Sequence, residues 1–426
     1  MSAYGTTLAY LYGLQTRGMK FGLRNIRALL RACGSPHTRF PSIHVAGTNG
    51  KGSTASFLAS IATESGVKTG LYTSPHLVRF TERIRINGTE IPGHRLVAYA
   101  RQLQPSIEQH QATFFEATTA IAFLYFAEEE VGLAVIETGL GGRLDSTNVL
   151  RPLVSVITSI GLDHTEILGS TISSIAKEKG GIIKPHTPVV YGGTKDKALP
   201  VLKSIARRKG SKFSLVADRV ATSVTRSGVT FSGPGFSLRG VRPGLQGIHQ
   251  IRNAATALLA WSIAAHRIPR SQRGKVSTGI MKRGLTHVQR NTGLRGRMEK
   301  ISHGHILLDA AHNPPGIHTL VESLLTGGEE KRTVVFGAMR DKDIPAMLRE
   351  LAPVVARIVA VAAGNPRSLP VRQLIPLARS LSLNVVAGGS VREGLQRARR
   401  FGNRLLVTGS HYVVGEALAL LESEAP

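Results

Sequence analysis

A glycine-rich turn near the N-terminus has the composition of a nucleotide-phosphate loop. It follows a short apolar run, 41–46, and precedes a stretch from Thr54 to Ile61 that predicts a helix. The turn consists of Gly47, Thr48, Asn49, Gly50, Lys51, Gly52 and Ser53. Glycines let backbone N–H groups approach phosphate oxygens, and a helix N-terminus adds partial positive charge. Lys51 is suited to neutralising the β- and γ-phosphates and Ser53 to reaching a magnesium ion, so the turn predicts a nucleoside triphosphate site.

This turn departs from the standard P-loop in two places. Val45 stands where the first glycine is usual, and Gly52 separates Lys51 from the hydroxyl of Ser53. A glycine-rich turn that binds nothing is therefore the alternative, and the rest of the chain has to decide between the two.

Two further strands are predicted to deliver polar side chains to their ends. The apolar run from Leu133 ends in Glu137, and the run 154–160 is followed by Asp163 and His164. A carboxylate at the end of a buried strand is costly unless it binds something, and magnesium is the candidate beside a phosphate loop. The alternatives are an ion pair between Glu137 and Arg143 and a purely structural histidine. Because neighbouring strand ends meet at one cleft, the functional interpretation is favoured.

The remaining candidates lie further along the chain. Lys179 closes a charged run that begins at Lys177, which on most helices is a solvated face. Another apolar strand, 306–309, delivers Asp309 and His312, and Arg297 lies just upstream. An arginine, an aspartate and a histidine that face the phosphate loop of another domain would close an ATP site between domains.

Strand and helix patterns alternate throughout, which predicts an α/β fold with parallel sheets. We expect a P-loop-type domain over residues 1–293, with a mostly parallel sheet and a small antiparallel appendage at about 211–240. A polar stretch, 285–297, predicts a linker. A Rossmann-like α/β domain is expected over residues 294–426.

Composition limits the class of protein. The net charge is +27, from 54 basic and 27 acidic side chains, which suits anionic ligands. The basic residues look scattered in sequence, so we expect nonspecific affinity for polyanions but no specific nucleic-acid partner. Cys33 is the single cysteine, which favours a reducing compartment, and no apolar run is long enough to cross a membrane. We expect a monomeric cytoplasmic protein.

Several motifs, in order, resemble the folylpolyglutamate synthase/dihydrofolate synthase family of the Mur ligase superfamily, and the resemblance covers essentially the whole chain. The most specific are the 47–53 loop, Thr73-Ser74-Pro75-His76-Leu77, Glu82-Arg83-Ile84, the 137–148 segment, Asp163-His164-Thr165, Glu178-Lys179-Gly180 and Asp309-Ala310-Ala311-His312-Asn313-Pro314.

The resemblance implies an ATP-dependent ligase that adds L-glutamate to folates, and that also converts dihydropteroate to dihydrofolate, through an acyl phosphate. It implies Lys51, Lys179, Asp309 and His312 as catalytic residues and a carbamylated Lys179. Magnesium would be held by Ser53 on the phosphate side and, at a second position, by Ser74, Glu137 and His164. Asn253 would lie beside the adenine of ATP, and Arg297, Asp309 and His312 would hold ATP and the incoming amino acid.

Three positions depart from the family pattern. Leu294-Arg295 replaces a common Trp-Pro pair, Gly181 replaces an alanine, and Ser146 replaces a frequent alanine. Two other functions stay open: a different Mur-type amino-acid ligase, and a noncatalytic protein that binds polyanions.

Overall fold

The N-terminal half is built on an eight-stranded sheet. The computed structural model describes residues 2–272, 274–301, 305–328, 330–402 and 404–424. The strand order is β4-β3-β2-β5-β1-β6-β7-β8; β3 pairs antiparallel with both β2 and β4, and all other neighbouring pairs are parallel. The strands are β1 Ser42–Ala46, β2 Thr69–Tyr72, β3 Ile84–Ile86, β4 Thr89–Glu90, β5 Leu133–Glu137, β6 Val154–Ile157, β7 Val189–Tyr191 and β8 Phe213–Leu215.

Helices cover both faces of this sheet, which is why its central strands are apolar throughout rather than alternating. One face packs on a core that includes Phe57 and Trp261, and the other on a core that includes Phe123 and Phe126. The helices are α1 Ala3–Gly13, α2 Arg24–Ala32, α3 Lys51–Glu64, α4 Gly93–Gln109, α5 Phe114–Glu128, α6 Thr165–Leu168, α7 Ile172–Gly180, α8 Leu199–Arg208, α9 Val216–Arg219, α10 Ile248–Ala264, α11 Thr278–Thr286 and α12 Val288–Thr292. Short 3-10 turns lie at Leu14–Arg17, Pro36–Thr38, Phe80–Arg83 and Ser146–Val149.

The antiparallel appendage is smaller than expected. Its three strands are β9 Ala221–Thr225, β10 Gly228–Gly233 and β11 Phe236–Val241. Residues 213–215, expected within it, instead form β8 of the main sheet, because that short apolar run pairs with β7 in parallel. Phe231 and Leu238 of the appendage belong to the same core as α3 and α10, so the appendage supports the helix that carries Asn253.

The expected linker is also shorter than predicted. Within 285–297, residues Val288–Thr292 form α12, because Val288 is buried against the α3 side of the sheet. Only the stretch from Gly293 to Met298 connects the two sheets without regular structure.

The C-terminal part has a six-stranded sheet with the order β12-β13-β17-β14-β15-β16. Its parallel strands are β13 Ile306–Leu308, β14 Arg332–Phe336, β15 Val355–Ala362, β16 Val385–Ser390 and β17 Leu405–Thr408. An edge strand that the sequence did not predict, β12 Glu299–Ile301, pairs antiparallel to β13. The helices are α13 Pro314–Thr326, α14 Ile344–Leu351, α15 Val371–Ser380, α16 Val391–Arg399 and α17 His411–Ser423, with a 3-10 turn at Ala352–Val354.

Among the described residues, no helix is both long enough and apolar enough to span a lipid bilayer.

Candidate active site

The glycine turn between β1 and α3 can exist only with glycines at its two ends. Gly47 has φ +154°, and a Cβ there would lie 1.8 Å from Thr158 Oγ1. Gly50 has φ +81°, and its Cβ would lie 2.5 Å from Asn253 Oδ1. The Thr158 hydroxyl donates to the carbonyl of Asn49 at 2.7 Å, which holds the turn against the end of β6. The backbone is therefore fixed close to two neighbouring elements.

Lys51 is the first residue of α3, so its ammonium lies beside the positive end of that helix. Its Nζ donates to the carbonyl of Thr48 at 3.2 Å, folded back over the turn. Ser53, in the first turn of α3, is buried and lines the same cavity. Free backbone N–H groups, a lysine and a hydroxyl at a helix N-terminus form a cradle for phosphates.

Glu137 lies at the end of β5, which is hydrogen-bonded to β1. Its carboxylate therefore reaches the glycine-rich turn 47–53, called the phosphate turn below. Oε2 accepts a hydrogen bond from the backbone N–H of Ser74 at 3.1 Å and would lie 3.5 Å from a Cβ on Gly52. Burial raises the pKa of this carboxyl, against the opposing influence of Lys51 and Arg297. The alternative pairing with Arg143 is wrong, because that arginine binds Glu178 at 2.9 Å.

The other flank of the turn, beyond β6, carries Asp163 and His164. Asp163 Oδ1 accepts from Lys342 Nζ at 2.7 Å, and its Oδ2 accepts from the amide of Asn313 at 2.8 Å. Burial alone would raise the pKa of Asp163, but Lys342 outweighs it and holds that pKa well below its usual range. Lys342 Nζ also lies 3.4 Å from His164 Nε2. Both Lys342 and Asn313 come from the C-terminal part, so the two halves of the chain meet at Asp163.

Lys179, at the end of α7, points inward rather than to solvent. Its side chain is buried, and Nζ donates to the carbonyl of Gly47 at 2.8 Å. Burial, assisted by the charge of Lys51, lowers the pKa of Lys179 to about 7. Lys177 in the same charged run is exposed, so the expectation of a solvated face fits Lys177 but not Lys179.

The C-terminal strand β13 delivers Asp309 in a fixed orientation. One carboxylate oxygen accepts from the N–H of Met298 at 2.9 Å and the other from the N–H of Ala311 at 2.9 Å. Burial raises the pKa of Asp309, opposed by the charge of Arg297. Asp309 therefore holds the 296–298 turn, which carries Arg297, against the end of β13.

His312 follows on the same loop and faces His411, with ring centroids 4.7 Å apart. Its Nδ1 lies 3.0 Å from the carbonyl of Ala310, so Nδ1 carries the proton and Nε2 keeps its lone pair. Nε2 lies 3.9 Å from Asp163. Burial lowers the pKa of His312 to about 4, so the ring is neutral at pH 7.

Asn253 is held beside the phosphate turn by a chain of side chains along α10. Its amide donates to Gln250 Oε1 at 2.9 Å, and Gln250 Nε2 lies 3.0 Å from His249 Nε2. His249 Nδ1 lies 3.3 Å from the hydroxyl of Ser323 on α13, which extends the chain to the C-terminal half.

The phosphate turn, Glu137, His164, Lys179, Asn253, Arg297, Asp309 and His312 line one cleft of about 550 Å³ between the two sheets. Every residue predicted from sequence as a site residue is among its lining residues. Sequence reasoning missed Lys342 and His411 and did not assign Asp163 a role. A signal existed for each: Lys342 lies in a charged cluster after β14, and His411 follows the Thr408-Gly409-Ser410 turn after β17.

The donor set suits a hard divalent cation. Glu137 is buried in the cleft, and within the described ranges its one hydrogen bond comes from the N–H of Ser74. A buried carboxylate with so little compensation favours a bound cation. The same cleft is also lined by Ser53, Ser74 and His164, which offer two hydroxyls and an imidazole. The residues therefore fit magnesium or a similar ion, although no group of three His, Cys, Asp or Glu side chains arranged to hold a metal occurs in the described part of the chain.

Comparison with known proteins identifies the family to which this chain belongs. Residues 45–261 match the Mur ligase middle domain, and residues 296–411 match the Mur ligase glutamate ligase domain. The dihydrofolate synthase/folylpolyglutamate synthase of Bacillus subtilis is 37% identical over 86% of this chain and 87% of its own length. The enzyme of the same name from Escherichia coli is 30% identical over 99% of this chain and 96% of its own length. This chain belongs to the folylpolyglutamate synthase/dihydrofolate synthase family.

Solved structures of family members have the same fold as this chain. The Escherichia coli FolC structure in complex with DHPP and ADP has a TM-score of 0.89, at 30% identity, and covers 99% of this chain and 98% of its own. The Yersinia pestis structure complexed with AMPPNP and Mn ion has a TM-score of 0.87, at 28% identity, over 99% and 98%. As a member of this family, the chain is an ATP-dependent, amide-forming ligase. The predicted α/β fold and enzyme class are confirmed, and the noncatalytic alternative is discarded.

Proposed function

We propose that this ligase joins L-glutamate to the carboxylate of a folate-type acceptor and cleaves ATP to ADP and phosphate. Both dihydropteroate and reduced folates with existing glutamate residues are proposed acceptors, which places the enzyme in folate and one-carbon metabolism. The observation that carries the proposal is the shared cleft, in which the phosphate turn of one half faces Arg297, Asp309 and His312 of the other.

The first proposed step makes the acceptor reactive. A carboxylate oxygen attacks the γ-phosphorus, the bond to the β-phosphate oxygen breaks, and ADP leaves. Lys51 and the N-terminus of α3 lie where they would balance the negative charge that builds on the phosphoryl oxygens. Arg297, positioned by Asp309, adds a cation from the opposite wall.

The second proposed step forms the amide. The neutral amine of glutamate attacks the acyl carbon, and phosphate leaves after the tetrahedral intermediate collapses. The amine must lose a proton, and His312 lines the cleft with the lone pair of Nε2 free to accept it. We assign His312 as the base that receives this proton.

Magnesium is the proposed cation, held by Ser53, Ser74, Glu137 and His164. When bound, it would stabilise negative charge on the phosphoryl and acyl oxygens.

Lys179 is proposed to be carbamylated. The ammonium first loses a proton, and the neutral Nζ then forms a bond to carbon dioxide and releases a second proton, so the side chain changes from a cation to an anion. Burial supports this assignment, since it lowers the pKa of the Lys179 amine to about 7 and so leaves a large neutral fraction at physiological pH. The anion would offset the charge of Lys51 and position groups in the cleft.

We further propose that the enzyme works as a cytoplasmic monomer, in line with a single cysteine and small-molecule ligands.

A phosphate-release assay tests the proposed reaction. Purified enzyme with MgATP should release phosphate only when both L-glutamate and an acceptor are present. Dihydropteroate and a reduced folylglutamate, assayed separately, determine which of the two activities is present. Lys51→Ala, with Lys177→Ala as the matched exposed-lysine control, should lose turnover while its circular dichroism spectrum is unchanged. Phosphate release without acceptor, or no release with either acceptor, would overturn the proposal.

A further inference from the structure

Six of the 54 basic residues, which look scattered in sequence, lie on segments that the fold brings to one edge of the main sheet. The expectation of a scattered charge is corrected for these six. The segments that precede β1, β6, β7 and β8 all lie at the N-terminal edge of the main sheet, since these strands are parallel. The segments 24–41, 149–157, 182–191 and 199–215 contain no aspartate or glutamate. We call six of their cations the basic edge: Arg24, Arg27, Arg31, Arg151, Lys184 and Lys209.

Lys184 lies at the centre of the basic edge. Its Nζ donates to the carbonyl of Asn148 at 2.7 Å, and its own carbonyl accepts from the hydroxyl of Ser211 at 2.8 Å. The N–H of His186 donates to the carbonyl of Lys209 at 2.9 Å, so the segments before β7 and β8 are joined. Burial lowers the pKa of Lys184 to about 8, and the like charges of Arg27, Lys209 and Arg151 contribute. The hydrogen bonds at Asn148 and Lys209 join the segments that carry Arg151 and Lys209 to the segment of Lys184.

Helix α2 extends the basic edge. Arg24, Arg27 and Arg31 follow one another at spacings of three and four residues, which places them on one helix face, and all three are exposed. No member of the basic edge forms an ion pair with a carboxylate in the described ranges. Uncompensated cations of this density repel each other, and an external anion would relieve that repulsion.

The position of the basic edge separates it from catalysis. Glu137 and the phosphate turn lie at the C-terminal ends of the strands, and the basic edge lies at the N-terminal ends. Strands of four or five residues place the two edges roughly 15 Å apart. The charge at this edge therefore does not line the catalytic cleft.

The chemistry of the surface favours phosphate groups over a protein partner. Arginine, the commonest cation here, binds phosphate through two parallel hydrogen bonds. Among the described residues, the exposed large hydrophobic side chains lie outside the four segments, and the nearest in sequence, Met19 and Phe21, precede α2. The four segments themselves therefore supply no apolar anchor for a protein interface. Within the four segments no exposed aromatic ring offers a platform for unpaired bases, and Phe21, just before α2, is a single ring where single-strand binders stack successive bases.

We propose that the basic edge binds the phosphodiester backbone of double-stranded nucleic acid without reading its sequence. Such contacts are electrostatic, release counterions from the duplex, and weaken steeply as salt concentration rises. This proposal does not depend on the acceptor of the ligase reaction.

Fluorescence anisotropy with labelled 20-base-pair RNA and DNA duplexes tests the proposal on the full-length enzyme. We expect binding at 50 mM KCl. The logarithm of the association constant should fall linearly with the logarithm of the salt concentration. The triple variant Arg27→Glu, Arg151→Glu, Lys209→Glu should raise Kd at least tenfold at 100 mM KCl. It should also make the salt slope less negative by about 2 to 3, the value for three lost phosphate contacts.

The matched control reverses three exposed arginines of the C-terminal half: Arg372→Glu, Arg379→Glu and Arg400→Glu. Both triple variants change the net charge equally, so the control should raise Kd less than threefold. Ligase turnover should be unchanged in the basic-edge variant, which also shows that it folds. Equal weakening by both variants would assign binding to net charge alone and overturn the proposal. No duplex binding at 50 mM KCl, or equally tight binding of poly-L-glutamate of matched charge, would overturn it as well.

Discussion

Asn49 and Asn313 exchange a reciprocal pair of hydrogen bonds across the cleft. The amide of Asn49 donates to Asn313 Oδ1 at 3.0 Å, and the amide of Asn313 donates back to Asn49 Oδ1 at 3.1 Å. Asn49 belongs to the phosphate turn, and Asn313 is the N-cap of α13. The start of one helix in the C-terminal half is thus tied to the turn that would hold ATP.

Asn313→Ala should therefore have two effects. Loss of the N-cap bond to Gly316, 2.8 Å long, should cost about 1 kcal/mol of unfolding free energy. Loss of the bonds to Asn49 and Asp163 should raise KM for ATP or lower kcat several-fold. Ser390→Ala is the matched control, since it removes the N-cap of α16 without a contact across the cleft. Urea unfolding and steady-state kinetics separate the two effects, and equal kinetics for both variants would contradict the role of the Asn49–Asn313 pair.

Two glycines of the phosphate turn should respond differently to alanine. Gly50→Ala places a Cβ 2.5 Å from Asn253 Oδ1 at a φ that alanine rarely adopts, so the affinity for ATP should fall at least tenfold. Gly52 lies inside α3, and its Cβ would meet Glu137 Oε2 at an ordinary 3.5 Å. Gly52→Ala should fold normally and retain more ATP affinity than Gly50→Ala. Isothermal titration with ATP, without glutamate or acceptor, measures both affinities, and the reverse order would show that the turn rearranges on binding.

Glu137→Gln should separate stability from activity. Since burial already raises the pKa of this carboxyl, a neutral amide of the same shape should leave Tm unchanged or higher in the absence of divalent ions. The same variant should lose turnover at least a hundredfold and need more magnesium for what remains. Glu178→Gln, which disrupts the partly exposed pair with Arg143, is the control and should keep its magnesium dependence. A magnesium titration of phosphate release distinguishes them; unaltered dependence in Glu137→Gln would remove the residue from the metal site.

The carbamate on Lys179 should follow the ionisation of its amine. Only the neutral amine reacts with carbon dioxide, so the signal from ¹³C-labelled bicarbonate in an NMR spectrum should rise with pH and reach half its maximum near pH 7, the pKa to which burial lowers Lys179. Lys179→Ala should lack this signal. An ordinary exposed lysine would give half its maximum near pH 10 instead.

The free energy of unfolding should also depend on pH, because folding changes the pKa of Lys179. An unfolded chain keeps the proton on this lysine up to about pH 10.4, whereas the folded one releases it near pH 7. Between these values the unfolded state binds more protons, so the unfolding free energy of the uncarbamylated enzyme should increase with pH. A Lys179→Met variant should show a smaller increase in urea unfolding under CO₂-free conditions, and the increase that remains should begin near pH 8, the pKa to which burial lowers Lys184.

The residue types at strand ends were sufficient to predict most of the cleft. Glu137, His164 and Asp309 each follow an apolar run, and parallel strands bring such ends together, so the grouping follows from periodicity and topology. Their assigned roles in catalysis and metal binding stay predictions, as does the boundary between residues 293 and 294.

Other features could not be read from local patterns. The ion pair between Asp163 and Lys342 joins residues 179 positions apart, and no periodicity specifies such a distant contact. Residues 213–215 look like part of a hairpin but pair with β7, because burial in the main sheet outweighs local turn signals. The basic edge was missed for the same reason: its cations come from four separate segments.

Trp261, the only tryptophan of the chain, gives this enzyme an internal fluorophore. It is buried on α10, eight positions beyond Asn253, which corresponds to roughly 12 Å along the helix. A nucleotide that docks against Asn253 would disturb the helix that holds this ring. Its emission wavelength and quantum yield would then report occupancy of the cleft in real time, with no label attached.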